Sequence, residues 1–546
     1  MARTPLFRMI QRSLAMAQLS RRTGEPPREL LDRWHEARLS RRQLLGGAAL
    51  ATAGLALSSC GPRRTGEPSS QGTAEGKVRP ATKGEVLIIG AGIAGLTAAY
   101  RLHQAGVPVR VIEGQERTGG RMYSSKGRFP EGQVIELGGE LIDTNHTHMQ
   151  ELAAELGIPL DDFDKDDPAM ARDVWFFDGR RYSDAEVVEA FRPIAAKIDE
   201  AWETITGETV DYRQPNNGET LDNMTIADFL DEAGADGWFR DLLDVAYTTE
   251  YGREIAEQSS FNFLMMIDTN PEPFRIFGES DERFHVRGGN DQIPHALAKA
   301  LGDRVETGTK LEALSRAADG TYRASVRRGQ TSQDLTAERV VLAIPFTLLR
   351  EVKLDLPLPD VKRKAIQELG YGTNAKLMVG FSDRVWRAEA KSNGSVVTDL
   401  PFQLTWETTR LQPGKAGILV NFTGGQHGLD IGQGSEAQQA QAFVRDLERI
   451  FPGVAERRTG EARFHWPTFP WMKGSYACYL PGQWTTIAGA EGERVENLHF
   501  CGEHTSIDFQ GFMEGGCESG TRVAQEILTD LGLAKPEEAE GEQKVA

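Results

Sequence analysis

The stretch VLIIGAGIAGLTAAYRLHQAGVPVRVIE occupies residues 86–113. Four apolar β-forming residues run into three closely spaced glycines, a helical pattern follows over residues 93–104, and a second apolar strand over residues 107–112 ends at Glu113. Strand, glycine turn, helix and strand in this order predict a parallel βαβ unit that binds a dinucleotide. A glycine-rich turn without a ligand would leave Glu113 unexplained.

The residues of the turn have distinct predicted roles. Gly90 allows the tight turn, Gly92 lets the backbone approach a pyrophosphate, and Gly95 lets the helix pack close to the strand. Ala91 belongs to the same turn, and the helix N-terminus adds free N–H groups and a partial positive charge. Glu113 can accept hydrogen bonds from a ribose diol.

A second glycine-rich segment, ERTGGR at residues 116–121, follows the βαβ unit. Gly120 lets the chain pass close to a cofactor, and Arg121 can pair with a phosphate. A nicotinamide enzyme has no need of this segment. It resembles the extended FAD fingerprint of the flavin amine oxidase superfamily, which implies FAD as the cofactor. The alternative for Arg121 is a solvated surface arginine.

Length and composition limit the possible classes of protein. The 546 residues exceed one ordinary core, so two domains are expected, either successive or interleaved in sequence. Hydrophobic and charged contents of 39% and 26% are typical of a soluble globular enzyme. The net charge of −18 argues against a nucleic-acid partner, which favours basic surfaces.

Residues 1–60 are predicted to be a leader. LSRRQLL at residues 39–45 places two arginines before an apolar run that is too short to span a bilayer. This pattern is typical of a twin-arginine signal, so a periplasmic location is expected. The following LSSC resembles a lipobox that would make Cys60 a lipid anchor, and a plain signal peptide cut near Ser59 is the alternative. Residues 61–83 are predicted to be a flexible tether and residues 533–546 a disordered tail.

The remaining cysteines are Cys478, Cys501 and Cys517. None of them belongs to a CxxC pair, so the sequence predicts neither a disulfide framework nor a metal site. Free thiols in an exported enzyme are plausible if they are buried.

Several separated motifs occur in the order found in the flavin-containing monoamine oxidase family, which the chain resembles over roughly residues 84–530. FCGEHT at residues 500–505 and GFMEGG at residues 511–516 look like the closing FAD motif of that family. The resemblance implies that Glu503 contacts the ribityl–pyrophosphate region and that Met513 offers its backbone N–H to the flavin pyrimidine. The helix that begins there would favour the negative charge of reduced flavin.

The resemblance implies four further cofactor contacts. It places Gly139 beside the flavin, Gly502 in the closing FAD motif, Trp466 near the flavin, and the backbone of Val305 against the adenine. Ser475 stands where some relatives carry a cysteine that bonds to the flavin, so FAD is expected to bind without a covalent link.

Three side chains are implied to be catalytic. Lys376 resembles the family lysine that holds a water against flavin N5, where an ammonium stabilises developing negative charge. Tyr476 and Phe512 resemble the two walls of an aromatic cage, which orients a neutral amine and attracts cations. Because Phe512 has no hydroxyl, the polar part of the cage depends on Tyr476. The alternatives are a strand lysine that faces solvent and aromatic rings that only fill the core.

The sequence therefore predicts an α/β fold in which an FAD-binding Rossmann-like domain is interleaved with a mixed α+β substrate domain. FAD-type signals at both ends and in the middle of the chain support this organisation. The predicted FAD-binding segments are residues 84–140, 285–345 and 466–532, and the predicted substrate domain takes residues 141–284 and 346–465.

The family resemblance implies that FAD takes a hydride equivalent from the carbon next to a neutral amine. The imine then hydrolyses, and dioxygen or another acceptor reoxidises the cofactor. Some L-amino-acid oxidases carry an arginine shortly after the glycine pair, whereas this chain has Glu140, Asp143, Asn145 and His146. These residues favour a primary or secondary amine. An L-amino acid held by Arg287 or another arginine is the alternative.

Two other classes are weighed against an amine oxidase. A desaturase or protoporphyrinogen-type oxidase would act on a hydrophobic molecule without an amine, and a flavin-bearing lipoprotein would transfer electrons without catalysis. The pair of Lys376 and Tyr476 favours the amine oxidase. The sequence does not indicate the oligomeric state.

Overall fold

The computed structural model describes residues 84–207, 209–269 and 275–534. The predicted leader with Cys60, the tether and residues 535–546 of the predicted tail lie outside these ranges. Within them, no helix has the length and apolar character needed to cross a bilayer.

Strands and helices are numbered here in chain order. The strands are β1 (Val86–Ile89), β2 (Val109–Ile112), β3 (Ser124–Lys126), β4 (Val134–Glu136), β5 (Leu160–Asp162), β6 (Val174–Phe177), β7 (Arg180–Tyr182), β8 (Phe284–Val286), β9 (Val305–Glu306), β10 (Thr309–Arg316), β11 (Tyr322–Arg328), β12 (Thr331–Ala337), β13 (Arg339–Leu342), β14 (Lys353–Asp355), β15 (Ala375–Phe381), β16 (Val396–Thr398), β17 (Leu404–Glu407), β18 (Gly417–Thr423), β19 (Arg458–His465) and β20 (Leu498–Phe500). The α-helices are α1 (Ile93–Gln104), α2 (Thr147–Glu155), α3 (Asp184–Trp202), α4 (Glu219–Asn223), α5 (Ile226–Glu232), α6 (Gly237–Tyr251), α7 (Ser260–Leu264), α8 (Gln292–Leu301), α9 (Phe346–Leu349), α10 (Asp360–Glu368), α11 (Val385–Ala388), α12 (Gly425–Asp430), α13 (Glu436–Leu447) and α14 (Met513–Asp530).

A five-stranded parallel sheet in the order β20-β13-β1-β2-β9 forms the nucleotide-binding half. Strand β1 lies at its centre and is buried along its whole length, as expected for a parallel sheet covered on both faces. The predicted strand over residues 107–112 begins two residues later, at Val109. The sheet takes strands from all three segments that the sequence assigned to FAD, which confirms the α/β fold; the domain boundaries themselves stay a prediction.

Helices α1 and α14 pack closely against each other beside this sheet. Gly516 and Gly520 of α14 make the approach possible. A Cβ atom at Gly520 would lie 2.3 Å from the carbonyl oxygen of Ala94, and one at Gly516 would lie 2.7 Å from Cγ2 of Ile93. The last helix is therefore anchored directly to the helix that opens the dinucleotide site.

A seven-stranded sheet in the order β19-β15-β18-β17-β16-β6-β7 forms the second half. Its strand β15 is completely buried, and its two faces have different neighbours. Leu377 and Val379 belong to one hydrophobic cluster, whereas Met378 packs with Ile135 and Leu137 in another. Lys376 shares the face of Met378, so it faces β4 and its following turn and is not in solvent.

The three cysteines of the described chain are free thiols and all are buried. Burial raises the pKa of Cys478, Cys501 and Cys517 to about 12 in each case. Their thiols are therefore protonated and poorly reactive at neutral pH, in agreement with the sequence-based expectation.

Candidate active site

A cavity of about 680 Å³ extends from the carboxyl ends of the five-stranded sheet to the seven-stranded sheet. Its volume lies within the range of roughly 300–1,000 Å³ that is typical of ligand and cofactor sites. The predicted residues that line it are Gly90, Gly92, Glu113, Gly120, Arg121, Gly139, Lys376, Trp466, Tyr476, Gly502, Glu503, Phe512 and Met513. The structure therefore brings together side chains and turns that are separated by more than 400 residues of sequence.

The glycine turn is open toward the cavity at Gly92, whereas at Gly95 it is closely packed against protein atoms. A Cβ atom at Gly95 would lie 2.1 Å from the carbonyl oxygen of Gly90, so Gly95 is needed for the close packing of α1. A Cβ atom at Gly92 would meet only the Cα atom of Gly120, at 4.0 Å. No side chain caps the N-terminus of α1. Free N–H groups beside an open backbone are what a pyrophosphate requires, so this end fits FAD.

Glu113 is tied to the glycine turn. Its buried carboxylate accepts the backbone N–H of Ala91 at 2.8 Å and that of Gln115 at 2.8 Å. Burial raises the pKa of Glu113, and these two hydrogen bonds oppose that shift. A carboxylate has about four acceptor positions, so both oxygens can still accept ribose hydroxyls. Ala91 therefore acts by orienting Glu113 through its backbone.

Arg121 and Glu503 form an ion pair that joins the first and last cofactor segments. The guanidinium donates to Oε1 of Glu503 at 2.6 Å and to the carbonyl of Ser475 at 3.0 Å, while Gly511 N–H donates to the other carboxylate oxygen at 2.8 Å. Arg121 is only 27% exposed, so it is not a solvated surface arginine. Its predicted contact with a phosphate stays a prediction.

The N-terminus of α14 opens into the cavity next to Gly139. A Cβ atom at Gly139 would lie 2.7 Å from Cγ of Met513, so a larger residue would have to displace the Met513 side chain. No side chain caps α14 at Phe512, and its first N–H groups and the positive end of its dipole are free to meet a ligand. Trp466 closes this end of the cavity and donates its indole N–H to the carbonyl of Leu137 at 2.8 Å.

Lys376 forms a buried ion pair with Glu140, a partner that the sequence does not reveal. The ammonium lies 2.7 Å from Glu140 Oε2 and donates to the carbonyl of Gly138 at 2.8 Å. The indole of Trp406 donates to the other oxygen of Glu140 at 2.9 Å. A lysine that faces solvent is therefore excluded, and the predicted contact of Lys376 with a water stays a prediction.

Two polar residues that sequence reasoning missed hold this turn in place. Asn290 donates its carboxamide N–H groups to the carbonyls of Gly139 at 2.9 Å and Glu140 at 2.8 Å. Glu136 accepts the backbone N–H of Asn290 at 2.9 Å and lies 3.0 Å from Nε2 of His285. The Gly288-Gly289 pair before Asn290 was the available signal, but it does not show which backbone the asparagine supports.

Aromatic rings line the cavity beyond Lys376. The predicted pair of Tyr476 and Phe512 is joined there by Tyr251, Phe277, Trp406 and Phe422. Burial raises the pKa of Tyr476 well above its ordinary value, and its hydroxyl donates to the carbonyl of Glu250 at 2.5 Å. The oxygen of this hydroxyl can still accept a hydrogen bond from a ligand, and its role as the polar part of the cage stays a prediction.

Two carboxylates, Glu250 and Glu282, also line the cavity. Neither has a side-chain hydrogen bond or ion pair among the residues that the structure describes. Glu282 is an exposed residue and Glu250 is partly buried, and the nearby protein atoms, which displace water from around the carboxylates, raise the pKa of Glu250 to about 7 and that of Glu282 to about 8. The charge of Asp143 adds to both shifts. Arg287, by contrast, is 65% exposed and pairs with Asp161 outside the cavity.

Val305 pairs with Val111 in the sheet and is not among the cavity-lining residues. The segment Thr309–Glu312 lines the cavity instead, and Thr309 N–H donates to the carbonyl of Glu113 at 2.7 Å. The adenine contact that the resemblance implies for Val305 stays a prediction.

A phosphate cradle, a ribose-binding carboxylate and an aromatic cleft on one cavity define a dinucleotide-dependent oxidoreductase. A model of the family described as flavin containing amine oxidoreductase matches residues 93–528. An L-amino acid dehydrogenase of Synechocystis is 26% identical over 468 residues, covering 82% of this chain and 96% of that protein. A flavin-containing amine oxidase B of Rattus norvegicus is 25% identical over 474 residues, covering 84% and 88%. The solved structure of cyclohexylamine oxidase from Brevibacterium oxydans has a TM-score of 0.72 at 23% identity, covering 82% of this chain and 99% of that one, and shares the fold.

The chain belongs to the flavin-containing amine oxidoreductase family. It is an FAD-dependent oxidoreductase that acts on amine donors. FAD binds without a covalent link at Ser475, whose hydroxyl donates to Oδ1 of Asn374 at 2.6 Å and which offers no thiol. Bound FAD supplies the redox chemistry, and the cavity residues supply position and a low dielectric.

Proposed function

We propose that this enzyme oxidises primary or secondary amines that lack an α-carboxylate, with a preference for carbon chains that carry a second positive charge. The imine product then hydrolyses to an aldehyde or ketone and ammonia or a smaller amine. The observation that carries this proposal is the distribution of charge along the cavity.

Every cation that lines the cavity within the described ranges is engaged or distant from the aromatic cleft. Lys376 pairs with Glu140 and Arg121 pairs with Glu503. Lys310 lies at the nucleotide end, 6.0 Å from the ring of Trp471. A substrate carboxylate would meet no free guanidinium or ammonium and would pay a large desolvation cost.

The free carboxylates favour the opposite charge. Glu250 and Glu282 have no side-chain partner among the described residues, and their raised pKa values place their ionisation near neutral pH. A distal ammonium would stabilise their ionised forms by Coulomb attraction. The surrounding rings favour cations as well.

Oxidation of an L-amino acid is the alternative, and it is supported by the name of the Synechocystis relative. It requires a cation that is free to bind the substrate carboxylate. The oxidant that takes the electrons from reduced FAD is proposed to be dioxygen or another acceptor.

The test compares three amines of matched carbon skeleton: 1,4-diaminobutane, n-butylamine and L-ornithine. Loss of flavin absorbance is followed under anaerobic conditions, so that the result does not depend on the acceptor. We expect 1,4-diaminobutane to reduce the flavin fastest, n-butylamine more slowly and L-ornithine least. Rapid reduction by L-ornithine, L-leucine or L-phenylalanine with slow reduction by both amines would overturn the proposal.

Export is a separate proposal that is supported by the sequence alone. We propose that Arg41 and Arg42 direct the folded enzyme through the twin-arginine route and that Cys60 is lipidated. Substitution of both arginines by lysine should retain the enzyme in the cytoplasm. Cys60→Ser should move it from the membrane fraction to the soluble periplasm; an unchanged distribution would contradict the lipid anchor.

A further inference from the structure

The ion pair between Lys376 and Glu140 is enclosed by protein on most sides. The side chains are 6% and 5% exposed, respectively. The third ammonium contact, to the carbonyl of Glu136 at 3.4 Å, is long. A lysine ammonium has three N–H donors, so its hydrogen bonds are nearly all directed at protein groups.

Glu140 is held in this position from three sides. Its carboxylate accepts from Lys376 and Trp406, and its backbone carbonyl accepts from Asn290 at 2.8 Å. Burial alone would raise the pKa of Glu140, but the Lys376 charge and these hydrogen bonds lower it below its ordinary value. The carboxylate is therefore ionised, and it offsets the charge of Lys376 across 2.7 Å.

The pair lies at the redox end of the cavity. The nucleotide end is fixed by the glycine turn and Glu113, and the cavity extends from there to Gly139, Lys376 and the free N-terminus of α14 at Met513. A dinucleotide with its ribose at Glu113 must place its ring system toward this second group of residues. Lys376 and Glu140 are thus charged groups that line this end of the cavity.

We propose that Glu140 is a positioning residue that neutralises Lys376 and thereby restrains the transfer of electrons from reduced FAD to dioxygen. Dioxygen takes up two electrons and two protons to become hydrogen peroxide, and it gains negative charge as the first electron arrives. A fixed positive charge nearby stabilises that change, and a compensated one does not. The pair therefore favours an acceptor whose reduction depends less on a local cation, such as a quinone.

The test is the isosteric variant Glu140→Gln in the FAD-loaded full-length enzyme. Reduction is achieved with dithionite, so no amine is needed and failure here is distinguishable from failure of the proposed substrate class. At an effective dielectric constant of about 20, a unit charge at roughly 10 Å changes a rate or equilibrium by on the order of tenfold. We expect the rate constant for reoxidation by dioxygen to rise by about that factor. The midpoint potential should rise by about 30 mV, which corresponds to a tenfold change for a two-electron couple.

Two further variants separate charge from hydrogen bonding. Trp406→Phe removes a donor to Glu140 but no charge, and it should change the potential by less than half as much as Glu140→Gln. In a Lys376→Met background, Glu140→Gln should no longer raise the reoxidation rate above that of the wild-type enzyme, because the ammonium is absent.

The proposal is overturned if, in Glu140→Gln, the reoxidation rate constant stays within twofold of the wild type and the midpoint potential stays within about 10 mV of it. The limit of about 10 mV is one third of the shift that corresponds to a tenfold change. It is also overturned if the double variant with Lys376→Met is reoxidised as fast as Glu140→Gln alone, because the uncompensated charge of Lys376 would then contribute nothing. If Glu140→Gln does not fold, the double variant with Lys376→Met is compared with Lys376→Met alone. The removal of an uncompensated carboxylate should then raise the potential, and an unchanged potential would refute the electrostatic coupling.

Discussion

Replacing Gly92 by alanine should separate cofactor binding from folding. The backbone at Gly92 has a φ of −74°, which alanine adopts freely, and its added Cβ would meet only the Cα of Gly120 at 4.0 Å. We therefore expect the stability of the protein without FAD to change by less than about 1 kcal/mol. The new methyl group would instead occupy the space that faces the pyrophosphate.

The loss of affinity can be estimated from packing. Overpacking by a methyl group costs roughly 1–3 kcal/mol, which corresponds to a Kd for FAD that is about 5- to 150-fold higher. The assay is a titration of the apoprotein with FAD, followed by quenching of flavin fluorescence, together with the Tm of the apoprotein.

Two glycines provide matched controls. Gly460 lies in β19 with no atom within 4 Å of its added Cβ, so Gly460→Ala should change neither affinity nor Tm. Gly95→Ala should lower the Tm of the apoprotein, because its Cβ would lie 2.1 Å from the carbonyl oxygen of Gly90. The reasoning is refuted if Gly92→Ala binds FAD with wild-type affinity, or if it destabilises the apoprotein as much as Gly95→Ala does.

Three further predictions concern the cleft. Lys376→Met leaves Glu140 buried without its partner and should lower the free energy of unfolding in urea by about 3–5 kcal/mol. This loss should shrink as the pH falls, because Glu140 then takes up a proton. A loss of stability that does not depend on pH would contradict the prediction. Tyr476→Phe should keep kcat within about threefold (less than 1 kcal/mol in the barrier), because the hydroxyl is engaged with the backbone of Glu250. Tyr476→Ala, which removes the ring, should raise KM and lower kcat. If steady-state kinetics show a large loss of activity for Tyr476→Phe, the hydroxyl contacts the substrate. Glu282→Gln should raise KM for 1,4-diaminobutane on the order of tenfold and leave KM for n-butylamine unchanged. The wild-type KM for the diamine should fall as the pH rises through about 7 to 8, where Glu250 and Glu282 ionise. A KM that does not change with pH would exclude these two carboxylates from substrate binding.

The local part of the fold could be predicted from the sequence because its signals lie close together along the chain. Helix α1 occupies the predicted range, Ile93–Gln104, since the glycine turn fixes its start and apolar periodicity marks its length. Strand β9 begins only at Val305, because Gly302 adopts a φ of 62° and residues 302–304 form a 3₁₀ turn.

The contacts of the site depend on long-range pairing that no local pattern encodes. Glu140 and Lys376 are separated by 236 residues, and their distance depends on how β15 packs over β4. The alternation along β15 left open which face of the strand carries Lys376, and only the packing of Met378 against Ile135 resolves it. The backbone acceptor of the Tyr476 hydroxyl could not be predicted for the same reason, because Glu250 lies 226 residues away.

The strand order of the nucleotide-binding sheet has a consequence for biosynthesis. Strand β20 pairs with β13 at residues 340–342, and α14 packs on α1, so segments that are synthesised late complete a layer that was begun some 400 residues earlier. A nascent polypeptide lacks one wall of the cofactor cavity until Met513 and the first turns of α14 have emerged. A product that stops before β20 would therefore leave β13 as an exposed sheet edge, and we expect it to aggregate more readily than the longer chain.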